Sequence, residues 1–149
     1  ESGGKWPENL TLLKTYQSTN LNFPKVSSIK ELEIERPCKC LFVEDKPDEE
    51  FSFTDLDFTS LKNLEYLEFF NCPNLNNLPP NAFKSAKTLR RLELDNNNLT
   101  MIDKDALKGL LKLEFIDLKK NYNLTELPIG FFGNAPNLQE IDISHTKLR

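Results

Sequence analysis

The residues of this chain that could carry chemistry are three cysteines, one histidine and many carboxylates. The cysteines are Cys38, Cys40 and Cys72, and the single histidine is His145. A nucleophile needs a base beside it, and the sequence pairs no serine, cysteine or threonine with that imidazole. Three cysteines and a remote histidine do not make a zinc site, and there is no Gly-rich phosphate loop. We therefore expect no catalytic residue, no cofactor and no metal.

Three sequence triplets could accept an N-linked glycan, namely Asn9-Leu-Thr11, Asn98-Leu-Thr100 and Asn123-Leu-Thr125. Such triplets arise by chance in a chain with 16 asparagines. Asn98 and Asn123, however, recur at one position of a repeat, where the side chain should point outward. We expect at least one glycan, and hence an extracellular chain that passed through the secretory pathway.

The charge balance argues against a nucleic-acid partner. The 149 residues carry a formal net charge of −4, and the sequence pI is about 5.1. Binding to a phosphate backbone needs a broad basic surface, which this composition does not provide.

The elements that must position these residues are repeats. The pattern Leu-x-x-Leu-x-Leu-x-x-Asn/Cys-x-Leu starts at 64, 89, 113 and 138, sometimes with one extra residue before the last apolar position. This spacing is typical of leucine-rich repeats. The Leu-x-Leu alternation predicts a strand with one face inward, and the return segment predicts a short helix or turn. Stacked units predict an α/β solenoid with a curved, parallel concave sheet and short helices or turns on the convex side.

The two ends of the chain differ from the regular repeats. Residues 1–22 are expected to cap the first coil, and 23–149 to hold the repeats. The first repeat, 23–63, is atypical, with an acidic insertion near 38–52 that is either a solvated loop or a loop that contacts a partner. No cap follows the last, incomplete repeat, so we expect a fragment of a longer protein that could self-associate through its uncapped coil.

The register also predicts the concave surface. The central residue of each Leu-x-Leu should point outward, and it is acidic in every strand: Glu33, Glu68, Glu93, Asp117 and Asp142. This surface is either a solvated, partly self-paired strand face or a binding site for a partner with basic patches, held by exposed aromatic side chains. The predicted ligand-binding residues are Tyr66, Glu68, Phe70, Arg91, Glu93, Asp95, Phe115 and Asp117.

The repeat register brings the cysteines close together. Cys72 occupies the inward Asn position of its coil, and Cys40 aligns with an inward leucine. Neighbouring coils lie about 5 Å apart, within the roughly 4.4–6.8 Å that a disulfide spans between Cα atoms. We favour Cys40–Cys72, with Cys38–Cys72 as the alternative. The remaining cysteine would pair elsewhere or stay a buried thiol.

Several phrases of the chain carry a family resemblance. They are Leu-Glu-Leu-Asp-Asn-Asn-Asn-Leu-Thr at 92–100, Leu-Pro-Pro-Asn-Ala-Phe at 78–83 and Leu-Pro-Ile-Gly-Phe-Phe at 127–132. They resemble animal extracellular leucine-rich repeats. The truncated first repeat and the Cys-containing strand end are most similar to the amino-terminal ectodomain of an insect Toll receptor.

The resemblance implies a function in recognition. Toll receptors cross the membrane once, through a carboxyl-terminal segment that this chain lacks, and carry a cytoplasmic signalling domain. Insect members bind Spätzle-type cystine-knot cytokines in innate immunity and development, so the resemblance assigns the concave face to ligand binding. Two other classes fit the same repeats: a structural or adhesion scaffold, and a secreted immune protein.

Overall fold

The computed structural model describes residues 11–16, 28–35 and 58–149. Within them the regular structure is almost all strand. The elements are β1 (Leu12–Tyr16), β2 (Glu31–Glu35), β3 (Tyr66–Phe70), β4 (Asn77–Leu78), β5 (Arg91–Glu93), β6 (Met101–Ile102), β7 (Phe115–Asp117), a 3-10 helix (Phe131–Asn134) and β8 (Glu140–Asp142).

Six of the strands form one parallel sheet in the order β1-β2-β3-β5-β7-β8. Each strand pairs with the corresponding strand of the next coil, as a solenoid requires. The inward positions align as Leu13, Leu32, Leu67, Leu92, Ile116 and Ile141. The predicted leucine-rich repeat solenoid with a parallel sheet is confirmed.

The core is a continuous column of leucine and phenylalanine. In β3, Leu67 and Phe69 are fully buried while the residues between and beside them are half-buried. Phe69 packs against Phe83 of the return segment, with ring centroids 6.5 Å apart. Full burial of such a side chain stabilises the fold by about 1.5–3 kcal/mol, so the repeated leucines supply most of the driving force.

Buried asparagines join one coil to the next. The Asn97 Oδ1 accepts a hydrogen bond from the Cys72 N–H at 2.7 Å, and its Nδ2 donates to the Phe69 carbonyl at 2.7 Å. Asn121 does the same one coil later, accepting from the Leu99 N–H at 3.0 Å and donating to the Leu94 carbonyl at 2.9 Å. The sequence pattern places asparagine here because its short amide satisfies backbone groups that no strand partner reaches.

A second position repeats in backbone conformation rather than in residue type. Asn71, Asn96, Lys120 and His145 occupy equivalent turns of four successive coils, with φ angles of 54°, 56°, 58° and 57°. Asparagine and histidine are enriched in this left-handed region, whereas lysine adopts it at a cost. The turn geometry is therefore imposed by the stacked coils.

The return segments are built mainly of turns. In the described part of the chain they hold the paired two-residue strands β4 and β6 and the 3-10 helix, whose Phe131 is buried. This agrees with the predicted short helices or turns.

At the amino end, the sheet begins with β1, inside the segment 1–22 for which the sequence predicts a cap. β1 continues the repeat register, because Leu13 pairs with the inward Leu32. The predicted boundary at residue 23 and the acidic insertion near 38–52 fall outside the described residues. At the other end, the inward-type Ile141 and Ile143 of the last coil are each 41% exposed.

Candidate functional site

The middle residues of the Leu-x-Leu segments, together with the equivalent Lys14 of β1, form a line across the sheet. Lys14, Glu33, Glu68, Glu93, Asp117 and Asp142 pair in register from β1 to β8. They alternate with the inward-pointing residues of each strand and therefore lie on the opposite side of the sheet. Like charges on neighbouring parallel strands repel, so each carboxylate needs a compensating group.

Most of these carboxylates are compensated within the chain. Lys14 Nζ lies 2.5 Å from Glu33 Oε2, and Arg91 Nε lies 2.5 Å from Glu93 Oε1. Asp142 accepts a hydrogen bond from the Ser144 N–H at 2.9 Å. The Ser144 hydrogen bonds hold the pKa of Asp142 below its usual value.

Glu93 is fixed from two sides. Its Oε2 accepts a hydrogen bond from the Tyr66 hydroxyl at 3.1 Å, and its Oε1 faces Arg91. The Arg91 guanidinium in turn lies over the Phe115 ring, 3.7 Å from the centroid. These residues form one preorganised unit across three coils, so a ligand would meet a surface whose side chains are already ordered.

Glu68 stands beside this unit without a cation. No lysine or arginine in the described segments forms an ion pair with it. Partial burial raises the pKa of Glu68, and the charges of Glu93, Glu33 and Asp95 raise it further, against the opposing effect of the Tyr66 hydroxyl. Burial and the neighbouring carboxylates also raise the pKa of Tyr66. Among the described residues, the site therefore holds a carboxylate without a cationic partner.

Two of the predicted contact residues are less exposed than the register implied. Asp95 and Asp117 are only 5% and 2% exposed. Lys119 covers both, with its Nζ 2.5 Å from Asp117 Oδ2 and 3.8 Å from Asp95 Oδ2. Burial raises the pKa of Asp95 in spite of Lys119, and the hydrogen bond to Asp117 raises the pKa of Lys119. These two carboxylates are therefore not available as surface contacts.

The accessible part of the candidate site is therefore smaller than the predicted set. Its side chains are half-buried or exposed, and they are Tyr66, Glu68, Phe70, Arg91, Glu93 and Phe115. Lys14 is an addition that the sequence did not indicate, since it lies in the predicted cap. The repeat spacing does not identify it, because β1 carries only a fragment of the repeat pattern.

Glu68, Glu93 and Asp95 each offer a carboxylate oxygen within 4.8 Å of the other two. Such a group could in principle hold a cation. Glu93 is already held by Tyr66 and Arg91, and Asp95 by Lys119, so we assign no metal to this cluster.

Of the sequon asparagines and the cysteines, the structure describes Asn98, Asn123 and Cys72. Asn98 and Asn123 are hydrogen-bonded to each other, the Asn123 Nδ2 donating to the Asn98 Oδ1 at 2.8 Å. Asn9, Cys38 and Cys40 lie outside the described residues. Cys72 is buried, with its Sγ 3.5 Å from the Phe70 carbonyl and 3.8 Å from the Ile34 carbonyl. The Cys40–Cys72 pairing and its Cys38 alternative remain predictions.

Comparison with known proteins supports the repeat assignment. A family model described as leucine rich repeat matches residues 70–122. Toll-like receptor 7 of Drosophila melanogaster is 35% identical over 99 residues, and Lumican of Gallus gallus is 35% identical over 91 residues. These alignments cover 62% and 61% of this chain but only 7% and 25% of the relatives, so the chain spans a small part of either protein.

Solved structures show the same fold. The TLR13–ssRNA13 complex matches 95% of this chain and 24% of its own with a TM-score of 0.57 and 20% identity. The Drosophila Toll–Spätzle complex matches 83% of this chain and 18% of its own with a TM-score of 0.52 and 18% identity. In the described part of this chain no helix has the length and apolar character needed to cross a membrane. The chain thus has the leucine-rich repeat solenoid fold, and it is similar in sequence to Toll-like receptors and to Lumican.

Proposed function

We propose that this chain is a non-catalytic, ligand-recognising part of a Toll-type cell-surface receptor ectodomain and that its concave face binds a protein ligand. The observation that carries this proposal is the environment of Glu68. This carboxylate lies on the same strand face as Tyr66 and Phe70, beside the ordered Arg91–Glu93 pair, and has no cation partner in the segments described.

These features favour a ligand with a basic side chain. A lysine or arginine placed at Glu68 would remove the repulsion from Glu33 and Glu93, and the aromatic side chains on either side would pack against its methylene groups. Bidentate pairing favours arginine for this role. Spätzle in the Toll complex is one precedent for a protein ligand of this fold, and a Spätzle-like cystine-knot cytokine is the ligand class that we propose.

The same charges disfavour RNA. The solved TLR13 complex contains a single-stranded RNA. In this chain the exposed strand face presents Glu33, Glu68 and Glu93 in adjacent strands. A phosphate backbone would add further negative charge to this line, and RNA binding normally depends on basic and aromatic surfaces.

The proposal is tested by binding of a purified Spätzle-like cytokine to the secreted chain. Glu68→Lys should weaken binding about tenfold or more, which corresponds to about 1.4 kcal/mol. Glu33→Lys is the matched control, because Glu33 occupies the same position of the preceding strand beside its own Lys14. Equal losses in the two variants, or no binding by the unmodified chain at micromolar concentration, would contradict the proposal.

A second candidate is a structural or adhesion scaffold of the leucine-rich repeat class. The similarity to Lumican, at the same identity as the fly receptor, is the observation that favours it. The two candidates differ in the wider protein: a membrane span followed by a signalling domain marks the receptor, and its absence from the full gene product marks the scaffold or a secreted immune protein.

A further inference from the structure

An open apolar groove lies on the flank of the solenoid, away from the concave strand face. It has a volume of about 420 Å³ and crosses three successive coils. Its apolar lining includes Pro80, Met101, Ile102 and Pro128. Met101 is 67% exposed, although it is a large apolar side chain on an ordered strand. An exposed apolar surface of this kind is usually buried by a bound group or a partner.

The sequon of the middle coil opens onto this groove. Burial alternates along Asn98, Leu99 and Thr100, with Leu99 in the core and its two neighbours outward. Thr100 lines the groove next to Met101. An extended chain advances about 3.3 Å per residue, so the Asn98 and Thr100 side chains leave the same side of the chain about 7 Å apart. One or two sugar rings span this distance.

The amide of Asn98 can carry a sugar without losing its place in the fold. Its Nδ2 donates one hydrogen bond, to the Asn76 Oδ1 at 3.0 Å, and its Oδ1 accepts from Asn123. Nδ2 has two hydrogens, so one remains for exchange. Glycosylation by a lipid-linked diphosphate oligosaccharide forms a bond from the anomeric carbon to Nδ2, breaks the sugar–phosphate bond and releases that proton.

We propose that an N-linked glycan on Asn98 covers this groove, with its innermost N-acetylglucosamine packed against Met101. The aliphatic face and acetamido methyl of that sugar are apolar enough to bury the methionine side chain, and the sugar hydroxyls reach Thr100 and solvent. This inference requires the secretory passage that the proposed function also requires, but it does not depend on any ligand.

Met101 is the single methionine of the chain, so its rate of oxidation reports whether the groove is covered. Peroxide converts an accessible methionine to its sulfoxide, and peptide mass spectrometry locates the added oxygen on Met101. The chain is secreted from insect cells as the unmodified sequence and as Asn98→Gln and Asn123→Gln variants, and glycopeptide analysis gives the occupancy of each sequon. Asn123→Gln is the matched control, because it loses a sequon and an amide contact of the same ladder but leaves the middle coil intact.

We expect Met101 to oxidise at least about threefold more slowly in the unmodified and Asn123→Gln proteins than in Asn98→Gln. Trimming to a single N-acetylglucosamine should keep the protection, and amidase removal should abolish it. An unoccupied Asn98, or equal oxidation rates in all forms, would overturn the proposal. Protection that appears in the unglycosylated chain as its concentration rises would assign the groove to a second copy instead. Cytokine binding by unglycosylated protein is measured separately, so failure here leaves the proposed function standing.

Discussion

The Tyr66 hydroxyl donates a hydrogen bond to Glu93, which lies one coil further along the solenoid, with 3.1 Å between Oη and Oε2. This bond links β3 to β5 on the side of the sheet opposite the leucine core. It also places an aromatic ring beside Glu68, the carboxylate to which we assign the ligand.

Removing this hydroxyl should destabilise the chain slightly. Tyr66→Phe deletes the bond to Glu93 while Arg91 still compensates that carboxylate, so we expect a loss of about 0.5–1.5 kcal/mol in the free energy of unfolding. Urea titration followed by circular dichroism measures it. Tyr122→Phe is the control, because Tyr122 is 55% exposed and should change stability by less than about 0.5 kcal/mol. Equal effects would show that the Tyr66 bond contributes nothing.

The buried asparagine of each coil should matter far more than surface asparagines. Asn121 is fully buried. It accepts a hydrogen bond from the Leu99 N–H and donates to the Leu94 and Leu118 carbonyls. Asn121→Ala leaves these groups without partners, at a cost of about 1–3 kcal/mol for each that stays unsatisfied. Asn77→Ala, at an exposed position of β4, should cost less than about 1 kcal/mol. Thermal unfolding compares the two, and similar midpoints would contradict this role for Asn121.

The repeated left-handed turn predicts a stabilising substitution. Lys120 has φ 58° at the position that Asn71 and Asn96 occupy in earlier coils. Replacing it by asparagine relieves about 0.5–1 kcal/mol of backbone strain, because asparagine enters this region more readily than lysine. The exposed Lys112 has no such φ, so Lys112→Asn should not stabilise the chain. A lower midpoint for Lys120→Asn would refute the assignment of strain to this turn.

Some features of the fold follow from residue spacing alone, and others depend on how individual side chains pack. The leucine spacing predicts the sheet and its register, since a period-two pattern inside a 24–25-residue repeat leaves one arrangement that buries every leucine. It also predicts which residues share the concave face. It does not predict that Asp95 and Asp117 are buried and paired with Lys119, because that depends on side-chain conformations. Nor does it reveal Lys14, whose strand carries only a fragment of the repeat pattern.

The raised pKa of Glu68 and the lowered pKa of Asp142 should change the pH dependence of stability in opposite directions. The folded pKa of Glu68 is raised, so its ionised form costs stability at neutral pH, and this cost disappears as pH falls below its unfolded value near 4.3. Glu68→Gln should therefore raise the unfolding midpoint at pH 7 and leave it unchanged near pH 3.

Asp142 provides the opposite case. Its folded pKa is lowered, so its ionised form stabilises the fold above its unfolded value near 3.9, and this contribution is lost as pH falls through the lower folded pKa. Asp142→Asn should lower the midpoint at pH 7 and have a vanishing effect in strong acid. Thermal unfolding across pH 2–8 gives both profiles, and shifts of the same sign for the two variants would refute this electrostatic description.

We propose that Glu68 receives a basic side chain of a protein ligand, and a charge-exchange cycle tests this contact most directly. The dissociation constant is measured for the unmodified chain and for Glu68→Lys, each against a Spätzle-like cytokine and against variants in which single surface lysines or arginines become glutamate. We predict that one ligand variant binds the unmodified chain about tenfold more weakly or worse yet regains affinity for Glu68→Lys, a coupling of at least about 1.4 kcal/mol. Additive losses for every pair would show that no ligand cation meets Glu68 and would contradict the account.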